Sequence, residues 1–277
     1  VQEARNLALM GLMTAVVSPV AYAVAVVLGA ASCVALCVEG RRHPGPWTQS
    51  VARAVGAVLT ADAISYVVAL AVQGTFSART SLPLALCNMA AIVAAIACWW
   101  RVPVMVELTY FWGLAGTLQA LITPDLNVGF PHLVFFQYTA GHLGIVTAAL
   151  FLVVGMRITP RPKAVPRVLA ITVAYSALVG LVDATSGANY MFLRSPPSNW
   201  TLLRVLGPWP WYLLSATGVA LVLLVVLDVP FWAARRAGRG HPHRPASERR
   251  GPLASASNER NEEDNETLAG TPRRALR

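Results

Sequence analysis

An all-α membrane protein, a bundle of seven transmembrane helices, is the fold class this sequence predicts, and three observations predict it. The 277-residue chain is 56% hydrophobic and only 13% charged, with a mean hydropathy of +0.55. Apolar runs recur along its first 233 residues, several of them at least the roughly 20 residues that cross a bilayer core. Short connections rich in Gly, Pro and Arg separate them. A soluble domain has too little interior for so much apolar surface.

The first helix is predicted over 16–38, with Pro19 near its start and residues 7–15 extending it or lying along the interface. Arg5 ahead of apolar residues resembles a signal peptide. The run from Leu7 to Val38 is, however, far longer than an h-region. AASC at 30–33 also lacks the leucine of a lipobox, so the reading is an uncleaved membrane helix. EGRRHPGPW then breaks the chain before a second helix over 52–73 that carries Asp62, Ser65 and Tyr66. The third, 81–100, runs from SLP to the interfacial pair Trp99–Trp100. The fourth (102–122) and fifth (132–155) form a hairpin around the polar turn TPDLNVGFP. After MRITPRPKAVPR comes a sixth helix over 166–186 with Asp183. The connection SGANYMFLRSPPSNWTLLRVLGP is amphipathic and aromatic, and is predicted to fold back over the mouth of the bundle. A seventh helix starts at WPWY and ends near Trp232, closed by Pro230 and Arg235.

Charge sets the orientation. One set of loops holds Arg41, Arg42, Arg101, Arg157, Arg161, Lys163 and Arg167; the other holds Arg79, Arg194 and Arg204, with Arg5 in the N-terminal flank. The positive-inside bias places the N-terminus outside and the C-terminus in the cytoplasm. Residues 234–277 hold ten Arg against six acidic residues and few apolar ones. The expected organisation is therefore a membrane domain over 1–233 and a disordered cytoplasmic tail over 234–277 that meets the anionic inner leaflet. The formal charge of +9 suits a membrane face, not nucleic acid, because no basic stripe alternates with stacking aromatics. Lys163 is the only Lys, a bias that points to a GC-rich bacterial genome and to a multi-pass protein of the cytoplasmic membrane.

Polar groups inside the apolar runs point to a site, because they cost free energy in hydrocarbon unless they face a cavity or a partner. These are Asp62, Glu107, Gln119, Gln137, His142 and Asp183, with Asn189 and Tyr212 at helix ends. Cys33, Cys37, Cys87 and Cys98 fall inside apolar runs without CxxC spacing, so neither a disulfide framework nor a metal site is expected, and no cofactor is implied. In the predicted topology Cys87 lies roughly 9 Å deep in the third helix and His142 roughly 15 Å deep in the fifth. A Cys nucleophile needs a base, and an orienting group for that base. Cys87 and His142 supply the pair, with Asp62 or Asp183 as orienters and Gln119, Gln137, Asn189 and Tyr212 as cavity polar groups. Spacing alone reads Cys87 as a small packing residue sooner than as a nucleophile, and reads His142 either way. Glu107 sits in the inner half and is not placed with the others. Gly113 and Gly116 are expected to allow close helix packing. Tyr110–Phe111–Trp112 reads as packing, and Trp209 and Trp211 as interfacial anchors.

SLPLALCNMA (81–90), ELTYFWGLAGTLQALITPDL (107–126), GFPH with His142, and NYMFLRSPPSNWTLLRVLGPWPWY (189–212) resemble the YwaF-like family of bacterial integral membrane proteins. That family is in turn distantly similar to a eukaryotic transmembrane acyltransferase family acting on ether phospholipids. The resemblance implies a multi-helix bundle over residues 15–232, an acyl-carrying role for Cys87 and assistance from His142. It also implies a His two residues before the Cys, where this chain has Ala85. The leading reading is a lipid acyltransferase or hydrolase using Cys87 and His142 on a membrane lipid or other acyl substrate. The alternatives are a transporter or channel-like bundle with Asp62, Glu107, Gln137 and His142 along its path, or a non-enzymatic membrane assembly factor.

Overall fold

The computed structural model describes residues 2–124, 126, 128–196 and 205–239, with side chains from residue 19 to residue 237; among them there is helix and no strand. The predicted tail beyond residue 239, Asp125 and Asn127 of the polar turn, and 197–204 with Arg204 lie outside the described residues. In chain order the helices are α1 (Gln2–Arg42), α2 (Pro46–Gln73), α3 (Leu86–Trp100), α4 (Pro103–Trp112), α5 (Leu118–Ile122), α6 (Leu133–Leu150), α7 (Ala164–Ser186) and α8 (Trp211–Arg239). A π-helical turn, Gly113–Thr117, joins α4 to α5, and another, Phe151–Gly155, prolongs α6. The described segments thus form seven helical rods. Five stretches within them are long and apolar enough to cross a membrane: Pro19–Arg42, Pro46–Gln73, Leu133–Gly155, Ala164–Ser186 and Trp211–Ala237. This is a multi-pass helical membrane protein.

Local chemistry sets most boundaries. Pro46 and Pro103 stand in the first turns of α2 and α4, where a missing N–H costs nothing. Gly187, at φ +72°, ends α7 in the left-handed conformation. Two expectations need correction. The third helix does not begin at residue 81: Ser81–Ala85 form turns around Pro83, and α3 starts only at Leu86, after Ala85 in extended backbone. Cys87 therefore stands in the first turn of its helix, not six residues along it. At the other end of the chain, α8 does not stop at Trp232 but continues through Pro230 to Arg239.

The core lies where α2, α3, α4 and α6 meet. The small residues Ala90, Ala94 and Ala97 of α3 are fully buried there. Gly113 brings the α4 rod onto α6: a Cβ at that position would stand 3.0 Å from the Ala149 Cβ. Gly116 has ordinary clearance, 3.5 Å from Leu86, and does not mark a close crossing. Tyr110, Phe111 and Trp112 are buried as packing residues; Tyr110 donates to the Leu227 carbonyl of α8. Large apolar side chains remain exposed along α1, α2, α7 and α8, for example Val27, Val72, Leu181 and Leu214, as a lipid-facing surface requires.

Polar networks tie the two ends of α7 to the rest of the bundle. In its first turn, Arg167 Nη1 donates to Glu107 Oε2 at 2.6 Å; Arg161 donates to the same carboxylate from its backbone N–H (3.0 Å), Nε (2.8 Å) and Nη2 (3.2 Å). Glu107 is 1% exposed, whereas both guanidiniums reach solvent. Beside that carboxylate, Arg161 is held above its ordinary pKa by the hydrogen bond it donates. At the far end, buried Asp183 accepts the Tyr190 N–H, and Tyr190 Oη donates to the Ala78 carbonyl while accepting the Leu82 N–H. Arg79 Nε donates to the Ser186 carbonyl. The segment after α7 thus folds back over the loop before α3, as its amphipathic sequence suggests.

Glu107→Gln keeps volume but removes the charge, and the two arginines then rehydrate. We expect a loss of about 1–3 kcal/mol for Glu107, read as a lower melting midpoint in detergent. Replacing Arg161 and Arg167 together by Ala strands the buried carboxylate and should lower the midpoint further. Adding Glu107→Gln to that double variant should recover part of the loss. No recovery would mean that the carboxylate is not the group the cluster neutralises.

Candidate functional site

The first turn of α3 carries Cys87 and Asn88, and its N–H groups have no intrahelical acceptor. No side chain caps this end. Cys87 is half-buried. Thr117, the last residue of the π-helical turn, lies near it in the fold. A π turn inserts a residue into the α ladder and so rotates the side chains on its C-terminal side to a new face. Cys33, Cys37 and Cys98 are buried, and of the four only Cys87 is not; a space opens beside it.

That space is a cavity of about 270 Å³ between α2, α3 and α6, lined by Cys87, Asn88, Asp62, Gln137, Tyr138 and His142 among others. His142 has its tautomer set by geometry. Its Nδ1 lies 2.7 Å from the Tyr138 carbonyl oxygen. A carbonyl can only accept, so Nδ1 carries the proton and Nε2 keeps a lone pair for use as a base. The Tyr138 ring stacks on the imidazole with centroids 4.1 Å apart, and Tyr138 Oη donates to the Ala120 carbonyl at 2.7 Å. Orientation of the imidazole is therefore a matter for α6 and Tyr138.

Asp62 does not orient His142. Among the described residues no hydrogen bond joins the two; the Asp62 carboxylate lies against the backbone of Gly141, where a Cβ would come within 2.7 Å of Oδ2. One helical turn away, a Cβ on Gly144 would meet Leu59 Cδ2 at 2.8 Å. Gln137 Nε2 donates to Ser65 Oγ at 2.7 Å, and Ser65 Oγ donates to the Asp62 carbonyl. So α2 and α6 meet through two glycines and one side-chain hydrogen bond.

Of the polar residues expected at a site, Cys87, His142, Asp62 and Gln137 share this cavity. Gln119 and Asn189 line a different, larger cavity of about 500 Å³. The Asn189 amide is committed within its own loop, donating to the Ser195 carbonyl and accepting the N–H groups of Arg194 and Ser195. Asp183 is buried and accepts the Tyr190 N–H through Oδ1, and among the described residues no hydrogen bond joins it to His142. Tyr212 is buried and donates to the Phe192 carbonyl. Glu107 is bound in its arginine cluster and lines neither cavity, which removes it from the polar path that a transporter reading assigned to it. Three residues escaped the sequence reading: Tyr138, Thr117 and Asn88. Only Tyr138 carried a signal, its position one helical turn before His142.

Comparison with known proteins gives a consistent result. The model of the TMEM164 family matches residues 9–228. An uncharacterized protein of Treponema pallidum (strain Nichols) is 29% identical over 155 residues, which cover 55% of this chain and 63% of that protein. The chain thus spans under two thirds of the length of this curated relative. No solved structure matches.

Gly141→Ala forces a methyl group into the Asp62 carboxylate. We expect a loss of about 1–3 kcal/mol from overpacking, with a lower melting midpoint in detergent. Asp62→Ala placed in the same chain should return most of it. A variant that melts with the parent, or that Asp62→Ala does not relieve, would show that α2 and α6 have slack at this crossing.

Proposed function

The chain belongs to the TMEM164 family, and we propose that it is a membrane-embedded enzyme that transfers or hydrolyses lipid acyl groups. Cys87 is the nucleophile and His142 its base. The observation that carries this reading is the pairing in one cavity of a first-turn cysteine with an imidazole whose Nε2 is left as an acceptor. His142 Nε2 takes the thiol proton and the sulfur attacks the acyl carbonyl. The uncapped N–H groups at the start of α3 are the donors we assign to the negative charge that develops on the carbonyl oxygen. The resemblance of residues 81–90, 107–126 and 189–212 to YwaF-like proteins supports the same reading, as does that family's distant similarity to the ether-phospholipid acyltransferases. Ala85, which replaces the His of that resemblance, lines the larger cavity and not the one that holds His142. The substrate is a glycerophospholipid or a related acyl ester met in the bilayer, and the enzyme resides in a bacterial cytoplasmic membrane.

We propose seven spans, with the N-terminus outside and the C-terminus in the cytoplasm, a reading that the seven rods and the basic-loop bias support. A reporter fused after Arg235 should score as cytoplasmic; a periplasmic score would invert the topology. The chemistry is tested by labelling with an acyl-mimicking electrophile, read by peptide mass spectrometry. Cys87 should react fastest of the four cysteines, and His142→Ala should slow it by about 10²-fold or more. Equal, slow labelling at all four positions would return Cys87 to the role of packing residue.

A further inference from the structure

Cys87 borders both cavities. Besides the polar one it shares with His142, it lines the chamber of about 500 Å³ between α3, the π-helical turn with α5, the segment after α7, and α8. Tyr138 is the other residue common to both linings, and its hydrogen bond to the Ala120 carbonyl holds it in place between them. Both spaces are walled mostly by apolar surface; they differ in size and in the titratable side chains, Asp62 and His142, that only the smaller one holds. The larger falls in the roughly 300–1,000 Å³ range of ligand pockets and the smaller just below it. Leu86, Phe192, Ala216, Val219, Ala220 and Leu223 give the larger one apolar walls. It also holds Gln119, Thr123 and Asn189, the last with its amide already satisfied by its own loop, but no Asp, Glu or His. The smaller one collects Asp62, Asn88, Gln137 and the basic edge of His142.

We propose that the two chambers divide the substrates of one transfer: the larger takes the hydrocarbon chain of the acyl group, and the smaller admits the hydroxyl that removes it from sulfur. The inference rests on Cys87 as nucleophile and adds where each partner sits. In the first half, Cys87 loses its proton to His142 Nε2 and its sulfur bonds to the carbonyl carbon of a lipid ester. The ester C–O bond breaks, the leaving alkoxide takes the proton from His142, and a thioester remains with its chain in the larger chamber. In the second half, a hydroxyl of a lysolipid, or water, gives its proton to Nε2 and attacks the thioester carbonyl. The C–S bond breaks and the thiolate recovers the proton. A chain seated on the far side of Cys87 from His142 leaves the base free for the second half, which a chain filling the polar chamber would not.

The experiment uses the full chain in detergent, with p-nitrophenyl butyrate and p-nitrophenyl palmitate as acyl donors and Cys87 acylation read by mass spectrometry. Ala220→Phe, and separately Ala216→Phe one turn away, narrow the larger chamber. Both should cut palmitoylation by at least about tenfold and leave butyrylation within about twofold, the short donor serving as the control for folding. Ala57→Phe, in the open lipid-facing groove between α2 and α3, should change neither. Palmitoylation insensitive to Ala220→Phe and Ala216→Phe, or sensitive only to Ala57→Phe, would overturn the assignment of the chamber. Failure of the parent to acylate Cys87 with either ester would instead remove the nucleophile, and the chamber assignment with it.

Discussion

The close crossing of α2 and α6 is the contact on which the site depends. Two glycines one turn apart, Gly141 and Gly144, face Asp62 and Leu59. A Cβ on them would stand 2.7 and 2.8 Å from the ends of those side chains, which would have to turn away. In a bilayer, lipid tails are as apolar as the helices, so association rests on close packing and on hydrogen bonds between helices. Here both act together: the glycines allow the approach, and Gln137 to Ser65 fixes the register. That register decides which face of α6 meets α2 and α3, and so carries Tyr138 and His142 to the cavity wall. A carboxylate against a helix backbone would be costly in hydrocarbon; beside a polar cavity it is not stranded.

The two ends of α7 solve different problems. Near its start, a carboxylate buried to 1% exposure is balanced by two arginines that keep contact with water. This avoids most of the desolvation that makes a fully buried ion pair unfavourable. Near its end, each bond has a backbone partner: Asp183 accepts the Tyr190 N–H, Tyr190 Oη joins the Ala78 carbonyl and the Leu82 N–H, and Arg79 donates to the Ser186 carbonyl. That second network bears on the chemistry, because the loop it holds leads directly into the first turn of α3. Tyr175 Oη adds a bond to the Leu84 carbonyl, three residues before Cys87. Cys87 is thus anchored from the chain behind it, while His142 is anchored from α6.

Much of this was legible in the sequence, for physical reasons. Polar side chains in apolar runs are expensive, so Cys87's neighbours Asp62, Gln137 and His142 stood out, and the cavity does collect them. Gly and Pro marked most helix ends. SLPLA misled because an apolar run with one proline reads as the first turn of a helix, whereas here Pro83 lies in a turn and α3 begins at Leu86. Glu107 was unplaceable because its partners stand 54 and 60 residues away, a pairing no local pattern encodes. Asp183 and Tyr212 looked like site residues for the same reason that His142 did. Apolar context shows that a polar group has a partner, not whether that partner is a substrate or the protein's own backbone.

The imidazole of His142 is oriented without a second charged side chain. A carboxylate orienter would bring a second charge into the bundle, with its own desolvation to offset. The Tyr138 carbonyl does the orienting from within α6, through a 2.7 Å contact one turn away and with no added charge. This arrangement also separates the roles of the polar groups. Imidazole geometry belongs to α6 and the Tyr138 ring, helix register belongs to Gly141, Gly144 and Gln137, and Asp62 is left to shape the polarity of the chamber. Cys87 on α3 and His142 on α6 share a cavity only where those helices are correctly packed, and α2, which lines the same cavity, meets α6 at Gly141 and Gly144.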